Sequence, residues 1–169
     1  MRDSIFFSYC HEDHDWLSEI QTVLSPAIKN SNVLSWSDKD IKPGMKWSDE
    51  VDKALARAKV VVLLVSPSFL ASSFVQDKEL PTILRAAQTD GVRVIWVYVR
   101  PCLVARTEIA DFQAAHDIRK PLNVITNARR SIALVEICEK ILLAYEESAE
   151  PPPPNTRILS VTPPTGIAG

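Results

Sequence analysis

Apolar and polar residues follow two different periods along this chain, one typical of buried strands and the other of amphipathic helices. Three apolar runs without alternation predict strands covered on both faces, at residues 4–9, 59–66 and 92–99. A shorter run at residues 32–36 predicts a further strand. Between these runs, apolar residues three and four positions apart predict helices that begin near Asp15 and Trp47, and a third that ends at Gly91.

Strands that alternate with helices indicate an α/β fold, in which a parallel sheet carries helices on both faces. The pattern is weaker after Pro101, where residues 107–125 predict a short helix and an edge strand. Residues 128–150 then predict an amphipathic helix. Its inward side chains are expected to be Ile132, Val135, Cys138, Ile141 and Leu142.

The chain of 169 residues is expected to contain one globular domain, at residues 1–150. Residues 151–169 begin with four consecutive prolines and have no core pattern, so they predict a stiff linker or tail. Such a segment commonly leads to another domain, and we expect one to follow it.

Charge and composition narrow the classes of function. A net charge of −2 argues against nucleic-acid binding as the main task. No apolar run is long enough to cross a bilayer, so no membrane partner is expected. Three cysteines without a CxxC pair indicate free thiols and a cytoplasmic location.

Three loops follow predicted strands, at residues 8–14, 37–46 and 66–73. The carboxyl ends of parallel strands meet at one edge of a sheet, so these loops are expected to form a ligand site together. None contains GxGxxG or GxxxxGK[ST], so the two usual glycine-rich phosphate loops are absent from the sequence.

The segment from Ser8 to Trp16, SYCHEDHDW, holds a cysteine, two histidines and three carboxylates. A zinc site would need a fourth ligand, and His116 lies far downstream. No signature of a cysteine nucleophile with its base is present. The segment is therefore interpreted as a strand-to-helix turn whose acidic residues cap the helix.

Several of these segments together resemble the Toll/interleukin-1 receptor (TIR) domain of the bacterial type, over residues 4–101. The likeness rests on the strand that ends in Phe-Ser-Tyr, the loop from Trp36 to Trp47 with its Pro43-Gly44 turn, the Leu-Val-Ser strand end and the segment Ser72–Leu80. The resemblance implies a flavodoxin-like, doubly wound, five-stranded parallel sheet with helices on both faces. Residues 37–46 would be the family's BB loop.

Many bacterial and plant TIR domains cleave NAD⁺ at the nicotinamide–ribose bond with one glutamate on the helix after the third strand. The resemblance places that role on Glu79, and Asp77 is the alternative if the register differs. In many members the glutamate follows a tryptophan by four residues. Here Glu79 follows Phe74 by five residues, and Lys78 occupies the usual spacing.

The resemblance also implies a substrate cleft around that glutamate, and NAD⁺ would be the substrate with no resident cofactor or metal. The candidate substrate-binding residues are Ser8, Tyr9, Trp36, Asp38, Trp47, Ser66 and Phe74. Members of the family assemble through TIR–TIR contacts that involve the BB loop, here Ser37 to Lys46.

Two classes of function remain open at this point. The first is an NAD⁺-cleaving effector module of a bacterial immune protein, activated by self-assembly and joined to a C-terminal sensor domain. The second is a non-catalytic TIR–TIR adaptor. A receiver-like phosphorylation domain is set aside, because Ser8-Tyr9 and Ser66-Pro67 stand where such a domain needs acidic residues.

Overall fold

A computed structural model describes residues 2–30, 34–37, 47–73 and 75–147, with only the backbone for Asn30, Leu34, Trp36, Trp47 and Ser48. The strands are β1 (Ser4–Ser8), β2 (Leu34–Trp36), β3 (Ala58–Val65), β4 (Arg93–Tyr98) and β5 (Gln113–Ala114). The helices are α1 (His14–Asn30), α2 (Trp47–Arg57), α3 (Pro67–Ala71), α4 (Leu80–Thr89) and α5 (Asn127–Glu147). The predicted linker at residues 151–169 lies outside the described residues.

The strands form one parallel sheet in the order β2-β1-β3-β4-β5. Its centre is β3, which pairs Phe7 with Val62 on one side and Ile95 with Val62 on the other. The fifth strand is short and pairs two residues with β4. The prediction of an α/β fold with a parallel sheet is confirmed.

Helices cover both faces of this sheet because successive strand residues point to opposite sides. Ile5 and Phe7 pack into a core with α1 and α5, whereas Phe6 packs into a second core with α2 and α4. All three side chains are at most 1% exposed. Each such burial stabilises the fold by roughly 2 kcal/mol before chain entropy is counted.

The prediction for α5 is correct in part. Cys138 and Ile141 are buried, but Ile132 and Val135 are 63% and 48% exposed. The stripe that faces the sheet begins at Leu134 and continues at helical spacing through Ile137, Cys138, Ile141 and Ala144. The helix has two apolar stripes, and the periodicity alone does not say which of them faces the sheet.

The described residues contain three free cysteines. Cys138 lies in the core under α1, and burial raises the pKa of its thiol to about 12. That thiol is therefore protonated and unreactive at neutral pH. Cys10 and Cys102 are half-buried.

Gly91 ends the segment after α4 with a φ of 73°, in the left-handed region that side chains disfavour. Among the described residues other than Gly91 and its two chain neighbours, no heavy atom lies within 4 Å of where a Cβ would stand, so a substitution there mainly tests the backbone. We expect Gly91→Ala to lower the free energy of unfolding by about 1 kcal/mol in denaturant titrations. Gly91→Asn should lose less, because asparagine tolerates this conformation. Equal stability of the alanine variant and the wild type would contradict this explanation.

His116 fastens the segment after β5 to the end of β4. Its Nε2 accepts a hydrogen bond of 2.9 Å from the backbone N–H of Tyr98. Burial lowers the pKa of His116 from 6.5, against the opposing effects of Asp117 and Glu136. The imidazole is therefore neutral at pH 7 and available as an acceptor.

The lowered pKa of His116 predicts a pH dependence of stability. The folded protein binds this proton more weakly than the unfolded chain, so the contribution is complete above pH 6.5 and is lost as the pH falls below that value. His116→Gln keeps an acceptor but does not titrate. Between pH 7.5 and 5.5 the wild type is expected to lose more unfolding free energy than this variant. Parallel stability curves for the two proteins would refute the prediction.

Candidate functional site

Several of the candidate residues meet at the carboxyl edge of the sheet. Ser8 is the last residue of β1, Ser66 follows β3, and Glu79 immediately precedes α4. All three are at most 7% exposed, although each carries a polar side chain. Tyr9 is half-buried and packs against the core under α1 and α5. Buried polar groups are thus concentrated at this edge, which is where an open parallel sheet is expected to have its ligand site.

Glu79 and Ser8 are in direct contact across 71 residues of sequence. The Ser8 hydroxyl donates a hydrogen bond of 2.7 Å to Glu79 Oε1, and both residues are buried. Ser8 ends β1, which lies inside the sheet between β2 and β3. The bond therefore fixes the Glu79 carboxylate at the end of a rigid strand. A charged group held in a poorly solvated place exerts a stronger field on its neighbours than it would in water.

The backbone that carries Glu79 is a π-helical turn, Val75–Glu79. The turn begins after Ser72, whose hydroxyl accepts from the Val75 N–H and whose carbonyl accepts from the Gln76 N–H. A π turn closes its hydrogen bonds over five residues where an α-helix uses four, and such turns are frequent at functional sites. Glu79 is the last residue of this turn, and from there its carboxylate contacts Ser8.

The same turn places the two candidate acids, Glu79 and Asp77, in different environments. Glu79 is 7% exposed and faces the sheet, while Asp77 and Lys78 are exposed to solvent. Of the acidic residues in this turn, Glu79 is the one that contacts the sheet edge.

A second polar cluster lies at this edge and has no counterpart in the sequence analysis. Asp13 is 1% exposed and accepts from the Ser66 hydroxyl and, at 3.0 Å, from Arg100 Nη2. The Ser66 oxygen in turn accepts from the Phe69 N–H at 3.1 Å, which caps α3. Ser66, a candidate for substrate contact, has its hydroxyl engaged in this cluster. Asp13 and Ser66 lie in two of the loops that were predicted to meet at this edge, but nothing in the sequence pairs them with Arg100.

The acidic residues of the segment from Ser8 to Trp16 do not all act as predicted. Glu12 and Asp15 are exposed near the start of α1, as expected of residues that favour a helix N-terminus. Asp13 instead turns inward and joins β1 to the ends of β3 and β4. Within the described residues, no group of three or more His, Cys, Asp or Glu side chains is placed to hold a metal ion.

The remaining candidates are not described. Asp38 and Phe74 lie outside the described residues, and for Trp36 and Trp47 only the backbone is given. The BB loop, Ser37 to Lys46, is described only at Ser37, which is buried. None of the helices in the described ranges combines the length and apolarity needed to cross a bilayer.

Comparison with known proteins finds a bacterial relative. A curated protein from Sinorhizobium fredii (strain NBRC 101917 / NGR234), the uncharacterized protein y4lF, is 27% identical over 99 residues. Those residues are 59% of this chain and 31% of that protein, so the chain spans less than a third of its relative.

Three solved structures are similar at low identity. The TIR domain of the Toll-related receptor TRR-2 from Hydra magnipapillata is 18% identical with a TM-score of 0.49, over 71% of this chain and 89% of that one. The TIR domains of the activated Roq1 resistosome, which recognises the pathogen effector XopQ, are 19% identical with a TM-score of 0.49, over 80% and 83%. A TIR-STING receptor from C. gigas is 18% identical with a TM-score of 0.47, over 88% and 40%.

The sequence profile of a protein family described as the TIR domain matches residues 5–125. This range contains β2 to β5 in full and β1 from Ile5 onward, and it includes the Ser8–Glu79 pair and the cluster around Asp13. It covers more than two thirds of the chain, and the chain belongs to the TIR domain family.

Proposed function

We propose that this TIR domain cleaves NAD⁺ at the nicotinamide–ribose bond, with Glu79 as the catalytic carboxylate. The observation that carries the proposal is the buried Glu79, presented by a π turn at the carboxyl edge of the sheet and held by Ser8. Family membership supports it, because many TIR domains cleave this bond with a glutamate on the helix after the third strand.

The reaction suits a single carboxylate. Nicotinamide leaves NAD⁺ with the bonding electron pair and becomes neutral, and positive charge develops on the ribosyl carbon. A carboxylate fixed beside that carbon stabilises the charge in the transition state more than in the bound substrate. Water then adds to the ribosyl carbon and loses a proton, which yields ADP-ribose. In a cyclising variant the adenine of the same molecule adds instead and loses a proton, which yields a cyclic product.

The proposal assigns the other candidates to binding. Ser8 orients Glu79, and Tyr9, Trp36, Trp47 and Phe74 supply flat faces for the nicotinamide and adenine rings. Asp38 is a further candidate for substrate contact. Ser66 acts through Asp13 and the start of α3, because its hydroxyl is already engaged there. The flavodoxin-like, doubly wound arrangement is part of the same proposal, and the strand order β2-β1-β3-β4-β5 supports it.

Self-association is expected to control the activity. In the family, the BB loop of one copy helps to form the cleft of its neighbour, and here that loop is Ser37 to Lys46. Specific activity should therefore rise with protein concentration. Nicotinamide release per milligram, measured across a wide dilution series, checks this expectation. A constant specific activity over the whole series would contradict it.

The wider protein is proposed to be a cytoplasmic effector of bacterial immunity. A C-terminal sensor domain would follow the proline-rich segment at residues 151–169 and trigger assembly. The greater length of the Sinorhizobium relative is compatible with this arrangement.

A non-catalytic TIR–TIR adaptor is the second candidate function. The exposed apolar side chains of α5 favour it, because Ile132, Val135 and Leu143 are 63%, 48% and 54% exposed. Exposed apolar residues on a helix mark contact surfaces. The two functions are compatible if assembly completes the cleft.

Chromatographic separation of products tests the proposal. The protein is incubated with NAD⁺ at high concentration with a crowding agent, and nicotinamide and the adenine-containing product are quantified. Nicotinamide with ADP-ribose or a cyclic form of it is the expected result, and the adenine-containing product identifies the reaction. Unchanged NAD⁺ from protein shown to be assembled would favour the adaptor.

A further inference from the structure

A cavity of about 520 Å³ opens between the start of α5 and the segment that follows β5. His116, Lys120, Ile125, Arg129, Ile132 and Glu136 are among the residues that line it. Its volume is within the range of small-molecule sites. It lies on the side of the sheet that α1 and α5 cover, whereas Glu79 is flanked by residues of the opposite core. The cavity is thus separate from the proposed NAD⁺ site.

The wall of this cavity has an excess of positive charge. Lys120 and Arg129 are exposed, and neither side chain donates a hydrogen bond to another described residue, although the charge of Lys120 helps to lower the pKa of Asp117. Of the two lining carboxylates, Asp117 is paired with Arg119 through two hydrogen bonds of 3.1 Å. When Arg119 is counted with the lining residues, three cations stand beside the two carboxylates Asp117 and Glu136. The balance favours an anion.

The same cavity has an apolar surface. Ile125 is half-buried, and Ile132 at 63% is among the most exposed large apolar side chains of the described chain. Ile132 is not among the residues of α5 that pack on the sheet, so its apolar side chain is available to contact a ligand. An apolar surface beside exposed cations matches a ligand that has an acidic head and an apolar body. His116 stiffens the wall through its bond to Tyr98.

We propose that this cavity binds a small amphipathic organic anion. Lys120 and Arg129 hold the carboxylate or phosphate head, and Ile125 and Ile132 contact the apolar body. Binding here requires no NAD⁺ chemistry, so the inference is independent of the proposed function.

Isothermal titration calorimetry of the full chain with octanoate and with octyl phosphate tests the proposal and distinguishes a carboxylate head from a phosphate head. 1-Octanol supplies the apolar body alone, and inorganic phosphate supplies the charge alone. We expect one or both amphipathic anions to bind at least about tenfold more tightly than either part. Equal binding of 1-octanol, or no binding of either amphipathic anion, would overturn the inference.

Two double variants localise the binding. Lys120→Gln with Arg129→Gln is expected to weaken the amphipathic anion about tenfold, because two charge interactions are lost. Lys140→Gln with Arg106→Gln removes two exposed cations away from the cavity lining and should leave the affinity unchanged. All four positions are exposed, so both proteins should fold. Equal weakening in the two double variants would show non-specific charge attraction and reject the site.

Discussion

Replacing Glu79 by glutamine is expected to lower nicotinamide release from NAD⁺ by about 10²- to 10³-fold while the protein stays folded. Glutamine has the shape of glutamate, and its side-chain oxygen can still accept the bond from Ser8. The variant lacks the negative charge, however, and that charge is what stabilises the developing ribosyl cation. Initial rates at matched protein concentration and matched assembly measure the effect.

Two companion variants make this result specific to Glu79. Asp77→Asn changes an exposed carboxylate two residues earlier in the same π turn and should keep the wild-type rate. Ser8→Ala removes the bond that orients Glu79 and should reduce the rate about tenfold. A large loss in Asp77→Asn with little loss in Glu79→Gln would move the catalytic role to Asp77.

Replacing Asp13 by alanine is expected to lower the free energy of unfolding by about 3 kcal/mol. The carboxylate is 1% exposed and accepts from both Ser66 and Arg100. Its removal leaves the buried Ser66 hydroxyl without its acceptor and the Arg100 guanidinium without its counter-ion. Both losses destabilise the folded state. The cap of α3 also loses its support. Urea titration followed by circular dichroism measures the change.

Asp117→Ala is the matched control. Asp117 also pairs with an arginine, at 3.1 Å, but the pair is exposed to solvent. Solvent-exposed ion pairs contribute little, so this variant should lose much less stability than Asp13→Ala. Similar losses for the two variants would show that burial of Asp13 is not the cause.

The strands of the sheet were predictable because buried parallel strands appear in the sequence as nearly continuous apolar runs. The run from Lys59 to Val65 has no polar interruption, and it is the central strand. The helical spacing of apolar residues at 128–150 likewise predicted α5. Two apolar stripes on this helix, however, left open which of its faces packs on the sheet. Local pattern thus identifies an element more reliably than it identifies the face that is buried.

The contacts of the site were less accessible to sequence reasoning. Ser8 and Glu79 are both identified by resemblance, but their hydrogen bond joins a strand to a helical turn far along the chain. The π turn that carries Glu79 closes its hydrogen bonds over one residue more than an α-helix does, and no propensity rule predicts it. Asp13 has the local features of a helix cap. Its inward direction depends on Arg100, 87 residues away, and was therefore missed.

The most direct test compares nicotinamide release by the wild type and by Glu79→Gln, each normalised to the assembled fraction measured by light scattering in the same sample. The account predicts turnover of NAD⁺ by the assembled wild type and a loss of about 10²-fold or more in the equally assembled variant. Equal release by both, or no release by a fully assembled wild type, would contradict the claim that Glu79 is the carboxylate of an NAD⁺-cleaving TIR domain.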